Sequence, residues 1–141
     1  MTHDELADQL ARLPGWYDIT IAVWPRADYR CEYCGRDFLA SVDEYRWGWN
    51  HDHLIPESIS HDDSPNNMVL SCVPCNRYKG TFDPATVTGP DASREELIAA
   101  ATRKIEELRN PDHSLLEQLR ELVGWDTASE LPPQTTASGE N

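Results

Sequence analysis

The chain has 141 residues, with twenty-five acids against twelve bases, a formal charge of −13, and 39% hydrophobic and 26% charged side chains. That length suits one domain with small additions, and an acidic field of this size repels nucleic acid and anionic membranes, which argues against a free-standing, tight DNA binder. No apolar run approaches the roughly 18 to 20 residues needed to cross a bilayer, and the acidic, amphipathic start lacks the basic and apolar regions of a secretion signal, so the expected compartment is the cytoplasm, where thiols stay reduced.

Residues 2–13 are predicted to form a short helix. Thr2 and Glu5 match a capping box, and Leu6, Leu10 and Leu13 recur at helical spacing until Pro14-Gly15 interrupts them. In "DITIAVW", Ile19, Ile21 and Val23 alternate, which predicts a lead-in strand, with a buried helical turn as the alternative. Residues 1–25 thus precede a segment, about 26–83, that is dense in Cys, His, Asn and turn residues and is read as the functional module. Beyond it, Ser93 with Glu96 and Ser114 with Glu117 open two amphipathic patterns. Joined by "NPD" and closed by Gly124, they predict a helical hairpin over residues 91–125. The polar, Pro/Ser/Thr-rich tail, residues 126–141, is expected to be disordered.

"CEYCG" supplies Cys31 and Cys34, and "CVPCN" supplies Cys72 and Cys75. Two C-x-x-C pairs bring four thiolates into the tetrahedral, all-sulfur arrangement that Zn²⁺ favours. Disulfides suit a reducing compartment poorly, and a redox site needs one reactive pair rather than two alike. The pairs lie farther apart than in a compact zinc ribbon, so the chain between them must form an ordered insertion. Within it, "WNHDHLIPES" places Asp52 between His51 and His53. If the strand ending at His53 pairs with "NMVLSC", a helix beginning near Asn76 lies against it. Asp52 and Asn76 then offer two hard oxygens to one Mg²⁺ or Mn²⁺, with His53 beside them.

"YRCEYCG", "DHLIP" and "NNMVLSCVPCNRYKG", in that order over about residues 28–82, resemble the HNH endonuclease family. The resemblance implies an α+β fold: a ββα-metal module held by a four-cysteine structural zinc, here flanked by the N-terminal helix and the C-terminal helical hairpin. It also implies hydrolysis of DNA phosphodiester bonds around a single divalent cation. By position, His53 is the expected general base, Asp52 a metal ligand, and Asn67 the residue bracing the hairpin loop through backbone hydrogen bonds. Asn76 takes the third place, where most members carry His and some, phage junction resolvases among them, carry Asn. Arg77 and Lys79, just after it, are expected to hold flanking phosphates.

Blander readings stand beside these. Asp52 could cap a turn, Asn67 sit in an Asx-turn, and Asn76 serve as a helix N-cap. His51 could face metal, substrate or solvent; His3, His61 and His113 are expected to be solvated. Trp47 and Trp49 alternate on the expected strand and are assigned to the core. From Arg26 to Gly80 there are six bases and nine acids, so most of the −13 lies in the flanks. DNA binding by the protein alone is therefore expected to be weak and salt-sensitive, with a protein partner engaged through the acidic C-terminal helices. A non-catalytic zinc module and a partner-dependent effector are the rival functions.

Overall fold

A computed structural model describes residues 1–126; the expected disordered tail falls, from residue 127 on, outside them. Two compact units divide the chain, Met1–Glu106 and Glu107–Asn141. The first begins with α1 (His3–Leu10), opened by the Thr2–Glu5 capping box. Next comes α2 (Asp18–Val23), where a strand was expected. Asp18 lies in its first turn, where a negative charge complements the helix dipole. Thr20, Val23 and the capping Trp24 are buried, a spacing of three and four that only a helix turns to one side. The alternation of Ile19, Ile21 and Val23 gives way to the burial of Trp24.

Trp24 is the hub of the core. Its ring lies 5.5 Å from Trp16, 5.7 Å from Phe38, 5.9 Å from Tyr45 and 5.0 Å from Trp49, mostly edge-on, geometries worth about 0.5–1.5 kcal/mol each beyond burial. α3 (Val42–Trp47) is capped by Ser41, whose hydroxyl accepts from the Glu44 amide. Trp47 ends this helix and is exposed, so it neither lies on the strand nor packs in the core as expected; Trp49 does both.

The strand after α3 pairs as anticipated. β1 (Trp49–His53) and β2 (Met68–Cys72) form an antiparallel two-stranded sheet with Trp49 opposite Cys72 and His53 opposite Met68. β2 is buried throughout and runs directly into α4 (Val73–Lys79), so strand, strand and helix are contiguous. A 3-10 turn (Pro65–Asn67) leads into β2, and α5 (Ala85–Thr88) follows α4.

The C-terminal hairpin is not formed. α6 runs as one helix from Arg94 to Leu122 with Pro111 inside it. A proline there removes one backbone hydrogen bond and costs about 3 kcal/mol. Reversing the chain, however, calls for a left-handed C-cap residue, and "NPD" offers no glycine. That residue is Gly124, at φ +69°, where the Trp125 N–H donates to the Arg120 carbonyl at 2.8 Å and closes the helix. Within the first unit, Ala100, Ala101 and Ile105 of α6 are buried.

Glu32 ties the first unit together. It accepts from the Leu70 amide at 2.8 Å and pairs with Arg26 and Arg94, each at 3.1 Å, and both arginines also donate to the Met68 carbonyl. Glu32→Ala strands two arginines and a strand amide together. The expected loss is roughly 2–4 kcal/mol of unfolding free energy, read from urea melts of zinc-loaded protein. A change below about 1 kcal/mol would show the pairs to be screened like surface ones.

Candidate active site and metal centre

The four cysteines converge. Their sulfurs all lie within 4.8 Å of one another, Cys34 and Cys72 at 3.7 Å. A tetrahedral ion with Zn–S bonds of about 2.3 Å sets its sulfurs about 3.8 Å apart, so the donor set fits zinc. Two sulfurs already accept backbone amides: Cys31 from Cys34 at 3.4 Å and Cys72 from Cys75 at 3.3 Å. Hydrogen bonds from Cys34, Cys72 and Cys75 drive the Cys31 thiol far below its usual range, and the proton-sharing with Cys31 and Cys34 drives Cys72 up. Gly35, at φ +82°, makes the turn that a side chain would strain, its N–H donating to the Cys31 carbonyl at 2.8 Å.

Asp52 lies on the buried side of β1, only 8% exposed. Tyr33 donates its hydroxyl to Oδ2 at 2.6 Å, and Lys79 Nζ approaches the same oxygen at 3.1 Å. Burial first, and the Asp52 charge second, push the Tyr33 phenol well above its usual range, so it remains a donor. Oδ1 carries no hydrogen bond from the described residues and is not sealed from solvent.

Asn76 sits inside α4, whose N-cap is Cys72, so the plain N-cap reading of Asn76 is excluded. It precedes Lys79 by three residues and therefore shares the helix face that meets Asp52. Its half-buried amide makes no side-chain hydrogen bond within the described residues. Carboxylate and amide oxygens are the donor types that a hard divalent ion takes.

Lys79 overturns its expected role. Its side chain is 0% exposed, paired with Asp52 and donating to the His53 carbonyl at 2.9 Å. It cannot reach a phosphate, because a buried carboxylate needs a countercharge and Lys79 is the cation within reach. Arg77, two residues earlier, is exposed.

His53 ends β1 with its side chain 24% exposed, and Nε2 meets Asp63 Oδ1 at 2.7 Å, with Asp63 itself 75% exposed. Ligating atoms of His53, Glu57 and Asp63 lie within 4.8 Å of one another, and Asp52 is not in that group. Asn67 is buried and spends its whole amide on the loop: Oδ1 accepts from the Ile55 amide at 2.9 Å, while Nδ2 donates to the Ile55 and Asp62 carbonyls at 3.2 and 2.8 Å. His3, His61 and His113 are exposed.

The His51 ring lies tilted at 48° against Trp49, centroids 5.0 Å apart, with Nε2 buried and unpartnered among the described residues. Burial, then the Arg26 charge, lower its pKa from 6.5. The fold thus prefers neutral imidazole, and this preference adds stability above about pH 6.5 that is lost as the pH falls below it. Between about pH 7 and 5.5, wild type is expected to lose more stability than His51→Phe in urea melts; parallel losses would remove His51 as the cause.

Tyr33, Glu32 and Asp63 were not singled out from the sequence. The first two were visible only as the spacer of "CEYC", and nothing local marks a spacer residue's partner. Asp63 sits in "HDDSP", where either aspartate could serve.

Residues 31–82 match the family model described as HNH endonuclease. No curated protein matches the chain. The matched stretch is well under half of the sequence, yet it spans both cysteine pairs, both strands and α4. Over residues 31–82, therefore, the chain carries an HNH endonuclease domain, of the type whose two C-x-x-C pairs gather into one zinc-binding centre.

Proposed function

We propose that the chain is a metal-dependent endonuclease that hydrolyses DNA phosphodiester bonds, with His53 as general base. The observation that carries this reading is the His53–Asp63 contact: a solvent-reachable imidazole on the domain's hairpin, oriented by a carboxylate at 2.7 Å. A base held by a third group is the arrangement that activates a nucleophile.

A Mg²⁺ or Mn²⁺ ion held by Asp52 and Asn76 would supply charge neutralisation at the scissile phosphate and the leaving oxygen. The protein's own residues do the rest. His53 takes a proton from water, whose oxygen attacks phosphorus; the bond to the 3′ oxygen breaks, and that oxygen takes a proton from a second water molecule to leave as a hydroxyl, with phosphate on the 5′ end, while His53 returns its proton to solvent. Lys79 and Tyr33 hold Asp52, Asn67 holds the loop after His53, and exposed Arg77 grips a neighbouring phosphate.

The setting proposed is a reducing one, the cytoplasm, where four thiols remain available to zinc. Among the described residues no helix is long and apolar enough to cross a membrane. With a charge of −13, the protein binds DNA weakly alone and relies on a protein partner. A partner reading is favoured by the exposed Leu115, Leu116, Leu119, Leu122 and Val123 of the second unit, an apolar stripe of the kind that helix-binding grooves accept.

The test is supercoiled plasmid incubated with zinc-loaded protein, with and without Mg²⁺ or Mn²⁺. Cation-dependent nicking is expected; cleavage that ignores both cations would overturn the mechanism, and no cleavage of plasmid or branched DNA would leave the rival, a non-catalytic zinc module.

A further inference from the structure

We propose that Tyr33 is a positioning residue for the catalytic cation, setting the Asp52 carboxylate from within the zinc knuckle. The inference rests on the reading of Asp52 as a cation ligand and adds a residue to it.

Tyr33 lies between two sulfur ligands, Cys31 and Cys34, and its backbone is pinned from both sides. The Glu32 N–H donates to the Leu70 carbonyl at 2.8 Å, the Cys34 N–H to Cys31 Sγ, and the Gly35 N–H to the Cys31 carbonyl. The ring is buried, and the hydroxyl reaches across to Asp52 Oδ2 at 2.6 Å. A hydroxyl–carboxylate bond that short is charge-assisted. Lys79 holds the same oxygen from α4, the helix that also carries Cys75 and Asn76. Two donors, one from the knuckle and one from α4, thus hold Oδ2. The knuckle that binds zinc and the carboxylate assigned to the second ion are one hydrogen bond apart.

Residues that hold a ligand from behind typically change metal affinity by 10- to 100-fold. Tyr33→Phe keeps the buried ring and removes only the donor. In zinc-loaded protein, with free Mn²⁺ followed by electron paramagnetic resonance, Tyr33→Phe is expected to weaken Mn²⁺ binding about tenfold or more, at unchanged zinc content. Tyr45→Phe removes the hydroxyl that accepts from the Trp16 indole at 3.0 Å elsewhere in the first unit, and is expected to leave Mn²⁺ affinity as it is.

Asp52→Asn separates the two claims. If it weakens Mn²⁺ binding and Tyr33→Phe does not, the proposal alone is overturned. If Asp52→Asn changes nothing, the assignment of Asp52 falls and the proposal with it. A Tyr33→Phe protein that loses zinc or melts far below wild type would also overturn the proposal, by showing that the hydroxyl holds the fold rather than the ligand.

Discussion

His53→Ala will slow cation-dependent plasmid nicking by about 10²- to 10⁴-fold, the range a positioned general base contributes, while zinc content and circular dichroism stay at wild-type values. The fold should not suffer, because the imidazole is partly exposed at the end of β1 and its partner Asp63 is solvated once released. Asp63→Asn should cost less, about tenfold, since it removes orientation and leaves the base. Plasmid supercoiling makes the measurement sensitive, because one nick per molecule relaxes it. Wild type and His53→Ala nicking equally would end the assignment of the base; neither protein nicking would end the assignment of the enzyme.

Stripping zinc will unfold the first unit rather than merely inactivate it. Structural zinc contributes about 10–16 kcal/mol in small domains at neutral pH, comparable to or larger than the whole stability of most domains. Here Cys31, Cys72 and Cys75 are buried in the same core as Trp24, Phe38 and Leu70. Cys72 is also the N-cap of α4, so a helix terminus goes with the ion. Cys72→Ser, or a strong chelator, should abolish the near-ultraviolet signal of the buried tryptophans, and added zinc should restore it after chelation. A metal-free protein that kept this signal, with a melting temperature within a few degrees of the holo form, would refute a structural role.

Much of this site was legible because its chemistry is written in consecutive letters. The convergence of the two C-x-x-C pairs and the β1–β2 pairing stand as anticipated, while the helix expected near Asn76 begins earlier, at Val73. What could not be read depended on contacts far apart in sequence. α2 reads as a strand until Trp24 is known to anchor the core. "NPD" reads as a turn until the missing glycine is weighed against one lost hydrogen bond. Lys79 reads as a phosphate ligand because lysine is normally exposed; only the burial of Asp52 shows why it turns inward. The cap of α3 was the exception, for "SVDE" is a start signal that local inspection could have caught.

The two spacer residues of the first knuckle also constrain how this sequence can drift. Glu32 points to Arg26, Arg94 and the Leu70 amide, and Tyr33, its neighbour, points to Asp52. Even where a third spacer let the cysteines close on an ion, it would rotate one of these side chains away from its target. Length variation should therefore be purged between Cys31 and Cys34, whatever metal the thiolates hold.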